Sequence, residues 1–330
     1  MRQHTLAALL TAGLLTCALA GGQVNPIIGN WEGSYSGSQG TGDITAKIIG
    51  LGGNEYRLVL EGQGMDAALY GTREGESAAF RGIWGEETED DGLTNVHVLT
   101  ADIYDGELEG RVRGPQYGGA QFQLERVFHE PPNLGAEPPE GAILLFDGSD
   151  TSQWRRMPEQ WHVVDGAMQV GGSNLYTREE FGDHRLHLEF RTPYMPNARG
   201  QGRGNSGVYV HGRYEVQVLD SFGEPPAHDL CGGIYSIREP DADVTLPPGE
   251  WQTYDITFRA PRFDDDGEKV ENAVITVIHN GVTIHDEVEL PHTTPGGVSG
   301  QEAELGGIWL QDHGGDPVRF RNIWVEELDL

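Results

Sequence analysis

The sequence contains very little lysine and few long hydrophobic runs. Lys47 and Lys269 are the only lysines. The 22 lysines and arginines together are outnumbered by 52 aspartates and glutamates. The formal charge of -30 repels nucleic acid and anionic membrane surfaces. Beyond the N-terminus, no segment approaches the roughly 20 apolar residues that a membrane helix needs. The composition therefore argues against nucleic-acid binding and against a membrane span.

Cysteine is also scarce, because Cys17 and Cys231 are the only two. Cys17 ends an apolar run that follows a basic start, and Ala18 to Ala20 fit the pattern of a signal-peptidase site. We therefore predict a signal peptide at residues 1–20 and an exported protein, periplasmic or extracellular. A lipoprotein is the less favoured alternative, since Thr16 is a poor match to the small residue expected before a lipidated cysteine. Cleavage leaves one cysteine, which excludes an intrachain disulfide.

Glycine and proline are abundant, with 48 and 18 residues. This composition is typical of short strands joined by turns, and it predicts an all-β protein. Residues 24–128 contain short strand-like segments at hairpin spacing, which predict a small antiparallel meander, either a barrel or a sandwich. The proline-rich segment HEPPNLGAEPPEG, residues 129–141, is predicted to be a semi-rigid linker. A second domain is expected at residues 142–330.

Alternation of apolar and polar residues is clear in the second domain. In RLHLEFR, Leu186, Leu188 and Phe190 share one face of a predicted strand. YDITFR and VRFRN show the same division, whereas AVITVIHNG is apolar on both faces, as expected deep in a sandwich. We predict two stacked antiparallel sheets with a polar outer surface.

The segment RYEVQVLDSFG combines a strand pattern with three polar side chains, Glu215, Gln217 and Asp220. Strict alternation would point Asp220 away from the other two and into an apolar face, which is unfavourable for a lone carboxylate. We therefore predict a β-bulge between Gln217 and Asp220 that turns all three to one side. The spacing resembles the Glu-x-Asp-x-x-Glu strand of laminarinase-type retaining glycoside hydrolases, but two of its positions differ.

A second resemblance covers nearly the whole second domain. The segments LLFDGSDTSQW, WHVVDGAM, GNSGVYVHGRYEVQVLDSFG, PPGEWQTYDITF and IWLQDHGGDPVRFRNIWVEEL occur in an order that is similar to the 3-keto-disaccharide hydrolase family. This resemblance implies a concanavalin-like jelly-roll sandwich that acts on sugars oxidised to a ketone at C3. Such a ketone acidifies the hydrogen at C2, so that a base can start an elimination that releases the C1 substituent.

This chemistry needs a base, hydrogen-bond donors for the oxygen that gains charge, and an acid for the leaving oxygen. From chemistry and position, we expect Glu215 to be the base and Asp220 or His313 to be the acid. Gln217 and Arg213 are the expected donors. The other candidate substrate-binding residues are Asn205, His211, Gln311, Trp251 and Trp309, and the two tryptophans suit either sugar stacking or buried packing.

Three alternatives stay open at this point. A divalent metal ion could bind His211, His228 and Asp229, although their spacing does not demand it. A conventional retaining glycoside hydrolase would use Glu215 and Asp220 as its two carboxyl groups. A non-catalytic carbohydrate-binding protein is the third alternative, although a binding module has little use for paired carboxylates on one strand. In each case the expected partner is a carbohydrate.

Overall fold

The computed structural model describes residues 25–330 except residues 39, 63–66, 88–92, 117, 156 and 158. The predicted signal peptide lies outside these described residues. Within them, no helix has both the length and the apolar character needed to cross a membrane. The regular secondary structure of the described residues consists of strands apart from one short 3-10 helix, which confirms the all-β prediction.

Eight strands form a closed antiparallel barrel, in which each strand pairs with the next and the eighth pairs with the first. They are β1 (Gly29–Gly37), β2 (Gly40–Gly52), β3 (Glu55–Glu61), β4 (Ala67–Glu74), β5 (Ser77–Glu87), β6 (Leu93–Tyr104), β7 (Glu107–Arg113) and β8 (Ala120–Val127). Inward side chains such as Trp31, Leu58 and Phe80 fill its interior with an apolar core. The predicted meander therefore closes as a barrel.

The remaining strands build the second domain. They are β9 (Ile143–Phe146), β10 (His162–Val164), β11 (Ala167–Gln169), β12 (Leu175–Tyr176), β13 (His184–Arg191), β14 (Ser206–Val210), β15 (Tyr214–Val218), β16 (Gln252–Arg259), β17 (Arg262–Phe263), β18 (Lys269–Glu271), β19 (Ala273–His279), β20 (Val282–Leu290), β21 (Trp309–Leu310) and β22 (Arg319–Glu327). A short 3-10 helix spans Gly200–Gly202.

Two antiparallel sheets pack face to face in this domain. The larger sheet has the order β10-β11-β22-β13-β16-β19-β20 with β9 beside β22, and the smaller sheet has the order β12-β21-β14-β15. Leu188 and Ile256 of the larger sheet share one apolar core with Val208 and Val216 of the smaller sheet. This arrangement confirms the predicted concanavalin-like sandwich.

Strand β19 differs from its prediction. Ala273, Ile275 and Val277 are fully buried, while Val274 and Ile278 on the opposite face are partly exposed. The expected burial on both faces is therefore wrong, because one face of the strand packs into the core while the other is partly open to solvent.

The segment at residues 129–141 packs against the outer face of the larger sheet. Asn133 donates a hydrogen bond to Asp255, and the Gly135 amide donates to Glu189 Oε1 at 2.6 Å. His187, opposite Asp255 in the sheet, is also completely buried. The polar face predicted for β13 is thus buried at His187 and Glu189, because this segment covers it.

Candidate functional site

Strand β15 carries its polar side chains on the outer face of the smaller sheet. Its register with β14 is regular, with Val208 opposite Val216 and Tyr209 opposite Glu215. The two valines belong to the apolar core, so the side chains of Tyr209 and Glu215 point to the opposite side. The strand ends at Val218 without a register shift. The predicted bulge before Asp220 is therefore wrong, because the chain leaves the sheet first.

The Glu215 carboxyl group is buried although it lies on the outer face of a sheet. Glu215 is 2% exposed, and its Oε2 accepts a 2.6 Å hydrogen bond from the Tyr209 hydroxyl. Its Oε1 lies over Gly207, where a Cβ atom would approach to 2.1 Å. Burial raises the pKa of Glu215 to about 7, and the hydrogen bond from Tyr209 opposes that rise. The carboxyl group is thus poised to gain or lose a proton near neutral pH.

Gln217 lies two residues further along the same face and belongs to a network of amides. Its Nε2 donates to Gln201 Oε1 at 3.2 Å and to the Asp229 carbonyl at 3.3 Å. Asn205 Nδ2 donates to the same Gln201 Oε1 at 3.0 Å. Asn205 Oδ1 is buried and has no hydrogen-bond partner among the described residues. An unpaired buried acceptor is free to bind a hydroxyl group of a ligand.

A row of aromatic rings crosses the sheet beside Glu215. Trp309 stacks on Tyr209 at 4.5 Å and on Tyr176 at 5.1 Å between ring centroids. Gln311 Nε2 donates to the Tyr209 hydroxyl at 3.2 Å. Trp309 is therefore packed between two tyrosine rings. It supports Tyr209 and does not offer an open platform for a sugar.

The structure thus brings five predicted residues together on one face: Glu215, Gln217, Asn205, Trp309 and Gln311. It adds Tyr209 and Gln201, which the sequence analysis missed. Tyr209 could have been found from hairpin geometry, because the short HGR turn places Val210 opposite Tyr214 and the preceding residue opposite Glu215. Gln201 lies in a loop distant in sequence, and no local pattern marks it.

Asp220 is placed differently from its prediction. Its side chain is fully buried, and its Oδ2 forms an ion pair with Arg203 Nε at 2.7 Å. Burial raises the pKa of Asp220, and the neighbouring guanidinium opposes that rise. Among the described residues, Asp220 forms its ion pair with Arg203, and it does not contribute this carboxylate to the cluster around Glu215. Asp220 therefore joins two loops beside the site.

His211 and Arg213 occupy the turn between β14 and β15 and point away from Glu215. The His211 ring stacks on His184 at 5.7 Å and meets the core residue Phe258. Burial lowers the pKa of both histidines to about 4. Arg213 donates to the carbonyl groups of His211 at 2.8 Å and Gln301 at 2.7 Å. Both residues support the turn and the loop beside it.

Trp251 is also separate from the cluster. Trp251 lies at the outer face of the larger sheet, under the guanidinium groups of Arg191 at 4.7 Å and Arg321 at 4.0 Å. His313 is exposed in the turn after Gln311. Within the described part of the chain, no three His, Cys, Asp or Glu residues converge as metal ligands. His211, His228 and Asp229 therefore do not form the metal site considered from the sequence.

Comparisons with known proteins agree with the motif order. A family model described as the 3-keto-alpha-glucoside-1,2-lyase-like domain matches residues 141–326. A crystal structure from Parabacteroides distasonis ATCC 8503, described as a candidate glycosyl hydrolase, is 37% identical with a TM-score of 0.52. That likeness covers 58% of this chain and 85% of the other.

A second structure from the same organism, with the same description, is 24% identical with a TM-score of 0.43. It is matched over 57% of this chain and 100% of its own. A comparison with curated proteins found no match. The residues matched by the family model lie in the sandwich and not in the barrel.

Proposed function

The chain belongs to the family of 3-keto-alpha-glucoside-1,2-lyase-like domains, and we propose that it cleaves glycosides whose sugar carries a ketone at C3. The family and the 37% identical neighbour indicate a glycosyl hydrolase-like enzyme. The finer assignment depends on one observation. Glu215 is a buried carboxyl group with a pKa of about 7, surrounded by a phenol and by amides.

Glu215 is suited to remove a proton from carbon. A ketone at C3 acidifies the C2 hydrogen, and a carboxylate with a pKa near the operating pH is an efficient general base. The C2 proton passes to Glu215, and the negative charge spreads to the C3 oxygen. Re-forming the ketone makes the C1–C2 double bond and expels the C1 oxygen, which takes the proton back from Glu215 and leaves as an alcohol. Water then adds its hydroxyl to C1 and a proton to C2.

The neighbours of Glu215 can stabilise the oxygen atoms that gain charge. The phenol of Tyr209 keeps its proton, because burial and the adjacent carboxylate raise its pKa. Gln311 Nε2 presents a further N–H donor on the same face, because its bond to Tyr209 uses only one of its two hydrogens. Asn205 Oδ1 and Trp309 Nε1 are buried polar atoms without partners among the described residues, and we assign them to substrate hydroxyl groups.

The geometry gives less support to conventional retaining hydrolysis. That reaction needs a nucleophile and an acid whose carboxyl groups lie about 5 Å apart. The second carboxylate of the segment, Asp220, is held by Arg203. The polar residue between Glu215 and Asp220 in the motif is the uncharged Gln217. A carboxyl group that is hydrogen-bonded to a phenol fits proton abstraction better than double displacement.

The test compares a glucoside with its 3-keto counterpart under identical conditions. We expect the purified protein to release the aglycone from the 3-keto substrate, and Glu215→Gln to abolish that release. Glu268→Gln makes the same chemical change at an exposed turn and should retain full activity. Equal release from both substrates, or full activity of Glu215→Gln, would contradict the proposal.

A further inference from the structure

The barrel presents a small patch to the sandwich, formed by Lys47, Ile49 and Arg57 on the outer side of β2 and β3. Ile49 pairs with Arg57 across these strands. Ile49 is 1% exposed although it lies outside the apolar core of the barrel. Phe222 of the sandwich is also 1% exposed and lies outside both cores. Their burial marks the place where the two domains meet.

This patch holds the loop at residues 219–224, which directly follows β15. Arg57 Nη2 donates to the Gly223 carbonyl at 2.6 Å, and the same guanidinium pairs with Glu224 at 2.9 Å. Gly223 has a φ of +80°, and a Cβ atom there would lie 2.6 Å from Ile49 Cδ1. The close approach of the two chains therefore requires glycine. Lys47 adds an ion pair with Asp243 at 2.5 Å.

The tip of the β2–β3 hairpin holds a second loop, at residues 193–204. Arg199 Nη2 donates to the Leu51 carbonyl at 2.5 Å, and a Cβ atom at Gly52 would lie 2.1 Å from Asn197 Oδ1. This loop contains three alternating glycines, Gly200, Gly202 and Gly204. A glycine-rich loop loses much conformational entropy when it is ordered, so its conformation depends on external contacts.

Both loops reach the Glu215 site. Arg203 of the 193–204 loop and Asp220 of the 219–224 loop form the buried ion pair that joins them, and the Asp220 amide donates to the Arg203 carbonyl at 3.1 Å. Gln201, between Arg199 and Arg203, accepts hydrogen bonds from Gln217 and Asn205. A continuous series of direct contacts therefore runs from the barrel patch to the amides beside Glu215.

We infer that the barrel is a positioning part of this site. Lys47, Ile49 and Arg57 hold the 219–224 loop, and the tip of the β2–β3 hairpin holds the 193–204 loop, so that Gln201 keeps Gln217 and Asn205 in place beside Glu215. The three barrel residues touch no substrate and act through the loops. The effect on kcat rests on the proposed function. The effect on hydrogen–deuterium exchange of the loops rests on the loop contacts alone.

Arg57→Met in the full chain tests this inference, because it removes the hydrogen bond and the ion pair but keeps an apolar stem against Ile49. The control is Arg81→Met, which makes the same change at an exposed barrel arginine that bonds to Phe80, Ala101 and Asp102 of the barrel. The measurements are kcat and KM on a 3-keto-glucoside, and hydrogen–deuterium exchange of residues 193–204 and 219–224.

We expect Arg57→Met to lower kcat by roughly tenfold or more and to speed exchange in both loops, while the strands of both domains keep their protection. Arg57→Lys should recover part of the loss, and Arg81→Met should match the wild type. If Arg57→Met unfolds, Glu224→Gln removes the same ion pair from the sandwich side and should show a smaller effect of the same kind.

The two proposals fail in different ways. If the wild type cleaves no 3-keto-glucoside but Arg57→Met still speeds exchange in the loops, the proposed function is rejected and the loop contacts are supported. An active wild type with an Arg57→Met variant of unchanged kcat would overturn the positioning role, whatever the exchange shows. Unchanged exchange in both loops would overturn it as well.

Discussion

The Glu215 carboxyl group shows how a single side chain takes its chemistry from its surroundings. Burial raises its pKa to about 7, so its carboxylate form is populated only as the pH rises through that value. Since the base must be ionised, we predict that kcat/KM increases with pH along a single ionisation curve with a midpoint near 7. A pH profile of the wild type on a 3-keto-glucoside measures this. A rate that is already maximal at pH 5 would contradict the assignment.

Tyr209 supplies the hydrogen bond that limits this pKa rise. Tyr209→Phe removes the bond to the carboxylate, so the pKa of Glu215 should rise further. We expect the midpoint of the kcat/KM profile to move to higher pH by roughly half a unit to one unit. Tyr70→Phe, at an exposed tyrosine of the barrel, is the control and should leave the midpoint in place. A shift to lower pH would show that Tyr209 does not stabilise the ionised form.

Asp220 and Arg203 form a buried ion pair, and removing either partner should destabilise the fold. Removing one partner leaves the other charge buried and unpaired, which costs about 3–5 kcal/mol. We therefore predict that Arg203→Met lowers the free energy of unfolding by about that amount, as measured by urea denaturation. Asp220→Asn should also destabilise the fold, and the double variant should lose less than the sum of the two. Strict additivity would mean that the pair is not coupled.

At the scale of elements, the β14–β15 hairpin determines the geometry of the site. Gly207 lies beneath the Glu215 carboxyl group, where a Cβ atom would approach Oε1 to 2.1 Å. We predict that Gly207→Ala displaces the carboxyl group and lowers kcat/KM by roughly tenfold to a hundredfold. Gly300→Ala places the same methyl group in open space and should have wild-type kinetics. Unchanged kinetics in Gly207→Ala would mean that the position of this carboxyl group is not critical.

Much of this element-level organisation could be predicted from sequence, because it depends on alternation. Leu186, Leu188 and Phe190 are all fully buried, as their spacing predicts. The end of β15 could not be predicted in the same way. The strand pattern of RYEVQVLDSFG predicts that the strand runs past Val218 to Asp220, but the Asp220 amide pairs with the Arg203 carbonyl instead of with the sheet. A contact across 17 residues overrides the local pattern.

The same limit applies to the site residues. Glu215 and Gln217 could be identified because they interrupt an apolar strand on one face. His211 and Trp251 have equally suitable chemistry, but they belong to the core edge and to the other sheet. The stacking of the two sheets decides whether a side chain lies in the site, at the edge of the core or on the other sheet. Residue type alone does not predict this.

At the scale of the whole molecule, the excess of acidic residues should be visible in the stability. A formal charge of -30 destabilises the compact state through self-repulsion, and salt screens that repulsion. We predict that the melting temperature rises between low and moderate sodium chloride concentration. Calorimetry in 20 mM and 300 mM salt would measure this, with sucrose at matched osmolality as the control. A fall in melting temperature would mean that the screened ion pairs outweigh the net repulsion.

The central claim is that the C2 hydrogen of a 3-keto sugar is transferred to Glu215 before the glycosidic bond breaks. It is tested most directly with a 3-keto-glucoside deuterated at C2, by following aglycone release and by mass analysis of the released sugar and the recovered substrate. The account predicts slower release of the aglycone, loss of the label to solvent during turnover, or both, and neither reaction in Glu215→Gln. Full retention of deuterium at C2 with no change in rate would show that the bond to C2 is never broken, and it would contradict the account.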